Sequence, residues 1–533
     1  MELKRIAETI FEAEKEMDLF NKSIQGVYFW NLVRFPFYRK ITTQTGIRGV
    51  AHTAHDVDSF TSKSKHILNA ANAAVFHNPC FSSKCDLLFF GHPRRKMMED
   101  GFWWDIYCDP VIDALKTRYK CLLVEKPVYP DHKKPPKTKG IRYLDFQVLL
   151  GTLYFKLATE GFSLTEEDKK LLDRIKWFIR DRLQKMGDRF QNHQGSGFNP
   201  DLEKIVSVTL WERKKLLPIY VRVLRKMNPR LVIMVVGYTN YTFIEACRRL
   251  RIPLVELQHG FMSRYHFGYS YPYAKPKNNA LPDCLLTFGE HWKNLLDFPI
   301  PKENILSVGY PYFDKEVSKY KHTLDTTSPP DKQIIQILFI SQGTAGKEIS
   351  RFAVETTELL EKAGNPFFRI VYKLHPGEYD RWKTSYPWLV DSNIKIVQDD
   401  SVPLYKLITQ SKILVGLSST VIYESIGLMY RLGIDLKIFL LNLPSIETMD
   451  MVIRSGTARK TQRPVEFVQA ITSLMFPHKH TAKKETRAEN GFGSKIIEKK
   501  QAVRGGFDAN LLFKPDSLNN IAQVVETLVR KSW

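Results

Sequence analysis

A chain of 533 residues, 43% hydrophobic and 12% aromatic, can fill large cores and is too long for a single one, so two or more domains are expected. No apolar run reaches the roughly 18 residues that a membrane-spanning helix needs, and the charged start, MELKRIAETIFEAEKEMDLF, does not read as a signal peptide. The net charge of +22 attracts polyanions; with no zinc finger, RNP motif or basic-leucine pattern, an anionic membrane surface or a lipid-linked acceptor is expected ahead of nucleic acid.

Residues 1–20 have the pattern of an amphipathic helix. GVYFWNLVRFPFYRKI (Gly26–Ile41) is apolar but contains Arg34 and Arg39, and either docks on the protein or lies in a membrane interface. Residues 45–65, rich in Thr, Ser, Ala and His, read as a loop. Within them Asp56-Val57-Asp58, near His52 and His55, has the DxD spacing of a metal site. It does not follow a strand, so the expectation is a solvated loop and no metal.

A first α/β unit follows: a strand over Asp86–Phe90, a loop over Gly91–Arg95, a helix over Val111–Lys120 and a strand over Cys121–Pro127. KKPPKTKG is a surface connection, and about 146–225 has a helical pattern. A clearer βαβ run then places strands at Leu231–Gly237, Pro253–Gly260, Cys284–Glu290 and Ile305–Pro311, with a helix at Phe243–Leu250. The polar residues 318–333 read as a linker. Beyond it come strands at Gln336–Gly343, Phe367–Pro376, Ile394–Gln398, Lys412–Ser419 and Lys437–Leu443, alternating with helices at about 348–362, 402–411 and 420–428. A charged region over about 476–507 precedes a last helix after Asp516-Ser517.

Strands alternating with helices imply parallel sheets. The expected fold is α/β, with two Rossmann-like domains, a helical insertion and a C-terminal helix. The expected divisions are 1–80, an N-terminal helical region; 81–320, a first Rossmann-like domain with the insertion; 330–475, a second; and 476–533, a basic segment and terminal helix. The six cysteines, Cys80, Cys85, Cys108, Cys121, Cys247 and Cys284, form no CxxC pair and read as free thiols.

Ligands of open parallel sheets bind beyond the carboxyl ends of the strands, so the polar loops there are the candidate site. In Gln258-His259-Gly260 the glycine permits close backbone approach, and the histidine titrates near neutrality and suits a general base. The plain alternative is a histidine that only hydrogen-bonds its turn. In Lys373-Leu374-His375-Pro376-Gly377-Glu378, Lys373 or His375 suits a phosphate and Glu378 a ribose or base. At Gly416–Glu424, free helix N–H groups with Ser418, Ser419 and Thr420 suit an anion, and Glu424 lies one turn further on. The plain alternative there is a serine N-cap. Gly343 and Thr344, in SQGTAGK, repeat the strand–glycine–helix logic without Walker spacing. Gly91-His92-Pro93-Arg94 with Asp105 and Asp109 follows the first strand and could meet an acceptor. No G-x-S-x-G elbow or HExxH is present.

The QHG loop, then K-x-HP-x-E, then G-x-SST-x-x-x-E, taken in that order, resembles GT-B glycosyltransferases of bacterial surface and capsular polysaccharides. The pattern is similar to CDP-glycerol glycerophosphotransferases and to the CMP-sugar polysialyltransferases and Kdo transferases. The resemblance covers about 230–450. It implies His259 as base, His375 on the donor phosphates, and Ser418 and Ser419 on a phosphate or sugar carboxylate. In the sialyltransferase variant an acidic residue of the first domain is the base, for which Asp105 is the candidate. The helical insertion and the basic segment after 476 depart from the pattern, so donor identity is not carried over.

The resemblance thus implies an inverting, metal-independent transferase that uses a nucleotide-sugar, CMP-, CDP- or UDP-linked, as substrate and needs no further cofactor. The acceptor is a polysaccharide or glycolipid, no nucleic acid is involved, and the location is cytoplasmic, peripheral at the inner face of the membrane. The rival expectations are a CDP-polyol phosphotransferase of the teichoic-acid type and a non-catalytic polysaccharide- or membrane-binding scaffold.

Overall fold

The computed structural model describes residues 2–44, 60–93, 95–129, 131–149, 163–185, 200–273, 275–277, 280–326, 334–443, 446–476 and 508–530. They belong to two compact units, one formed by residues up to Lys319 with the chain from Asn510 onward, the other by Tyr320–Ala509.

Short runs of Leu, Ile, Val and Phe build the sheet of the first unit: β1 (Leu87–Phe90), β2 (Cys121–Glu125), β3 (Arg142–Tyr143), β4 (Leu231–Val235), β5 (Leu254–Leu257), β6 (Cys284–Thr287) and β7 (Ile305–Ser307). All neighbours are parallel, in the order β3-β2-β1-β4-β5-β6-β7. Both faces of the strands are apolar because both are covered, as a parallel sheet requires. Leu87, Phe89, Leu231, Ile233 and Val235 face one core; Leu88, Phe90, Val232 and Met234 face the other.

Around this sheet lie α1 (Glu2–Glu16), α2 (Trp30–Gln44), α3 (Phe60–Phe76), α4 (Asp109–Leu115), α5 (Glu166–Gln184), α6 (Leu202–Met227) and α7 (Tyr241–Arg249). Asp201 caps α6 by accepting from the Lys204 N–H, and Thr165 with Asp168 forms a capping box on α5. The 146–225 region is helical where it is described.

In the second unit, β8 (Ile335–Ile340), β9 (Phe368–Lys373), β10 (Lys395–Val397), β11 (Ile413–Gly416), β12 (Lys437–Leu441) and β13 (Ala458–Thr461) make a parallel sheet in the order β10-β9-β8-β11-β12-β13. It is flanked by α8 (Gly346–Lys362), α9 (Thr420–Leu432) and α10 (Pro464–Met475). Both sheets therefore reverse direction once, between β1 and β4 and between β8 and β11. This is the doubly wound arrangement in which ligands occupy the switch point.

The structure decides one open expectation and corrects four others. The stretch Gly26–Ile41 docks on the protein, one of its two expected readings: Trp30, Val33, Phe37, Tyr38 and Ile41 of α2 are buried, as is Arg34. Arg34 is held by Glu14 of α1 through Nε (2.8 Å) and Nη2 (3.0 Å), and its Nη1 donates to the carbonyls of Phe267 and Ser270. Residues 60–65 open helix α3 rather than ending a loop, and the supposed linker is helical as far as Thr326. Strand β13 was not foreseen, because its middle residues Arg459 and Lys460 are exposed and break the apolar run. The last helix, α11 (Ser517–Arg530), belongs to the first unit, where Ile521, Ala522, Val525, Leu528 and Val529 join the core under β1 and β4.

All six cysteines are free, four of them buried. Asp56, Asp58 and most of the 476–507 segment lie outside the described residues. No described helix is long and apolar enough to cross a membrane.

Candidate functional site

In the first unit the switch point gathers the loops after β1, β4 and β5. They carry His92, Tyr238 and His259 respectively, all half-buried. The His92 and His259 rings stack at 5.8 Å with 22° between their planes, and Tyr238 packs beside His259 at 5.9 Å. The Tyr107 hydroxyl donates to the His259 carbonyl and fixes that loop.

The hydrogen bonds around His259 determine which nitrogen is basic. The Tyr269 hydroxyl donates to Glu256 Oε1 at 2.6 Å and lies 3.4 Å from His259 Nδ1. With Glu256 ionised, that one proton is committed to the carboxylate, and towards the imidazole the hydroxyl only accepts. Nδ1 then carries the ring proton, and Nε2, 3.4 Å from the Tyr238 hydroxyl, holds the lone pair. In this tautomer Nε2 is the basic nitrogen, as a general base needs.

Glu256 is a buried acid inside an apolar strand. Its Oε1 also accepts the Gly237 N–H at 2.8 Å, and burial pushes its pKa up to about 7. A Cβ on Gly237 would stand 2.3 Å from Glu256 Oε2. Gly237→Ala is therefore expected to displace the acid and destabilise the unit by about 1–3 kcal/mol, read as a lowered midpoint in urea.

Two residues expected here have other work. Asp105 is fully buried: Oδ2 accepts from His92 N (2.7 Å), and Oδ1 from Tyr107 N (3.0 Å) and Cys108 N (3.1 Å). Burial raises its pKa. It shapes the β1 loop and holds His92, and no acceptor reaches it as a base. Gln258 is also buried, donating to the Gly260 carbonyl and accepting from Phe288 N, so its side chain ties β5 to β6.

Below the loop lies a charged cluster of which the sequence singled out only Asp109. Arg95 pairs with Glu125, the last residue of β2, and lies 3.4 Å from Asp109 Oδ2. Burial pushes Asp109 up to about 6, with Asp105 adding to the rise. Burial pulls His132 down, but Asp145 (2.9 Å) and Glu125 (3.4 Å) outweigh it and raise His132 to about 9.

In the second unit the switch point joins the loops after β8, β9 and β11. Gln342 Oε1 accepts from Ser418 N (3.3 Å), linking two of them. Gly343 lies by the third: a Cβ there would be 3.8 Å from His375 Nδ1. His375 is exposed. Its Nδ1 accepts the Gly377 N–H at 3.1 Å, so in the neutral ring Nε2–H is the outward donor. Such a donor suits an anionic oxygen.

Ser419 occupies the N-cap position of α9 without making a side-chain cap bond. Its hydroxyl and the first N–H groups of α9 thus stay at the mouth of the switch point, with Ser418 and Thr420 beside them. Thr344 lies in the half-buried β8 loop, Pro376 is exposed in the turn after His375, and Glu424 is buried on α9.

Glu378 and Lys373 depart from expectation. Glu378 is fully buried, accepting from His375 N (2.8 Å) and from the Tyr386 hydroxyl (2.6 Å); both oxygens are occupied, and it fixes the His375 turn instead of meeting a ribose. Lys373 is buried, with Nζ on the Tyr379 hydroxyl (2.5 Å) and the Asp399 carbonyl (2.5 Å), and does not present its charge to a phosphate.

A cavity of about 550 Å³ is lined by Gly364, Pro366, Phe368 and Arg369 at the amino end of β9. It is remote from the switch-point loops and carries none of this chemistry. Among the described residues no group of three His, Cys, Asp or Glu side chains could hold a metal ion.

No family model matches the chain, and no curated protein matches it significantly. Among solved structures it is similar to the UDP-GlcNAc 2-epimerase of Neisseria meningitidis bound to UDP-GlcNAc (15% identity, 84% of this chain and 99% of that one, TM-score 0.43). It is also similar to the UDP-GlcNAc 2-epimerase of Methanocaldococcus jannaschii (12%, 83% and 99%, TM-score 0.40) and to the spinosyn rhamnosyltransferase SpnG complexed with thymidine diphosphate (13%, 73% and 91%, TM-score 0.38). The Rossmann-like assignment of both units rests on their own strand orders.

Proposed function

We propose that the chain is an inverting, metal-independent glycosyltransferase that moves a sugar from a nucleotide-activated donor to a hydroxyl of a surface polysaccharide or lipid-linked acceptor. One observation carries the reading. The switch point of the first sheet offers a half-buried histidine with a basic Nε2, and that of the second offers a histidine N–H donor beside an unused N-cap serine and a helix N-terminus.

Each switch point suits the chemistry of one half of a displacement. His259 Nε2 takes the proton of the attacking acceptor hydroxyl, whose oxygen forms the new bond to the anomeric carbon. The bond from that carbon to the donor phosphate breaks, and its electron pair leaves with the nucleotide. His375 and the α9 N-terminus, with Ser418, Ser419 and Thr420, stabilise the charge on the departing phosphate. The donor is CMP- or CDP-linked, or UDP-linked, and the protein works at the inner face of the cytoplasmic membrane.

A thermal-shift panel of CMP, CDP, UDP and dTDP tests the nucleotide half, since a ligand that binds only the folded state raises the melting temperature. At least one nucleotide is expected to stabilise wild type, and His375→Ala to weaken that nucleotide about tenfold or more. Absence of any shift overturns the reading. Epimerisation of a nucleotide-sugar without an acceptor would replace it.

A further inference from the structure

Helix α3 is amphipathic with its apolar side turned outward. Ala70 and Ala73 face the protein, whereas Leu68 is 69%, Val75 59% and Phe76 70% exposed. At about 100° per residue, Ile67, Leu68, Ala71 and Val75 form one stripe, which Phe76 borders and the 68%-exposed Phe81 continues past the helix end. Exposed apolar patches of this kind mark an interaction surface.

The charge within the stripe's own segment has one sign. Residues 60–85 contain three lysines, Lys63, Lys65 and Lys84, and no Asp or Glu. Two further cations are fixed at its end: Arg142 Nη1 donates to the Phe76 carbonyl at 3.2 Å, and Lys226 donates to the Cys80 carbonyl with Nζ 5.9 Å from the centre of the Phe81 ring. Apolar side chains rimmed by unopposed basic ones fit a bilayer of anionic lipids. The side chains enter the headgroup boundary and the cations sit at the charged surface.

We propose that α3 and the turn after it, through Leu68, Val75, Phe76 and Phe81 with Lys65, Lys84, Arg142 and Lys226, form a docking surface for an anionic membrane. The surface stands apart from the transfer chemistry, so its failure leaves the nucleotide reading untouched. It also moves the interfacial role away from Gly26–Ile41, where Phe29, Trp30, Phe37 and Tyr38 are core.

Flotation of the full chain with vesicles tests it, using phosphatidylcholine with and without about 30 mol% phosphatidylglycerol, in about 0.1 M salt. The protein is expected to float with the anionic vesicles and not the neutral ones. The pair Leu68→Asp/Val75→Asp is expected to lower partitioning about tenfold or more, and Val75→Trp to raise it, with melting temperatures unchanged. Tyr430→Ser, at an exposed aromatic of the other unit, is expected to change nothing. Equal binding to neutral vesicles, indifference to the aspartates, or loss in Tyr430→Ser overturns the proposal. So does light scattering that shows a dimer dissociated by the aspartate pair, which would assign the stripe to a second copy of the chain.

Discussion

Arg34→Met is expected to destabilise the first unit by about 3–5 kcal/mol, because it leaves a buried carboxylate without its cation. Glu14, within α1, is itself buried; its Oε1 accepts from Arg34 and from Trp30 Nε1 at 2.9 Å. Burial raises the Glu14 pKa, and the guanidinium opposes that rise. Four rings, of Phe11, Phe20, Phe267 and Tyr271, enclose the guanidinium, so no water replaces it readily. Without Arg34 the pKa of Glu14 rises further. A folded-state pKa above the unfolded value favours folding at low pH, and that contribution is lost as pH rises through the folded pKa. The penalty of Arg34→Met is thus expected to be smaller near pH 5 than at pH 8. Glu14→Gln/Arg34→Met is expected to recover part of the loss, since both charges are then gone. Denaturant midpoints at the two pH values decide it; a cost under about 1 kcal/mol at pH 8 would show the pair to be unimportant.

The β strands were legible because parallel sheets bury both faces, so LLFF, LVIMV and ILVG stand out as apolar runs. Strands β3 and β13 were not: β3 is only two residues long, and an edge strand with exposed Arg459 and Lys460 has only its ends to bury. The polar residues at strand ends were legible as a group but not one by one. His375 is exposed and His259 half-buried at the switch points, while Gln258, Lys373, Glu378 and Asp105 satisfy their own turns. Sequence spacing does not distinguish a side chain that faces a ligand from one that caps the loop beside it. The partners of His259 were hidden for a different reason. His92, Tyr238 and Tyr269 arrive from three separate segments, and only the strand order places β1, β4 and β5 side by side. Glu256 did leave a signal, an acid in the middle of the apolar strand Leu254–Leu257, where a lone carboxylate needs a reason to be buried.

His259→Ala is expected to reduce transfer about 10²–10⁴-fold with nucleotide binding intact, the usual contribution of a positioned general base. The supporting chain from Glu256 through Tyr269 gives a graded test. Tyr269→Phe removes the group that keeps the proton on Nδ1, and its effect is expected in kcat and not in nucleotide affinity. Glu256 acts through Tyr269 and is a positioning residue, so its test is a dependence on pH. Its folded pKa of about 7 lies above the unfolded 4.5. The protonated form is therefore favoured by folding, a stabilisation fully present below about pH 4.5 and lost as pH rises through about 7. Glu256→Gln keeps an oxygen for Tyr269 and cannot ionise. Its stability relative to wild type is expected to improve between about pH 5 and 8, by up to about 3 kcal/mol for the full shift. Glu256→Leu offers Tyr269 no acceptor and frees the hydroxyl to donate to His259 Nδ1, which moves the ring proton to Nε2. Activity is then expected to fall towards that of His259→Ala. Full activity in Glu256→Leu, with the fold intact, would remove His259 Nε2 from the role of base.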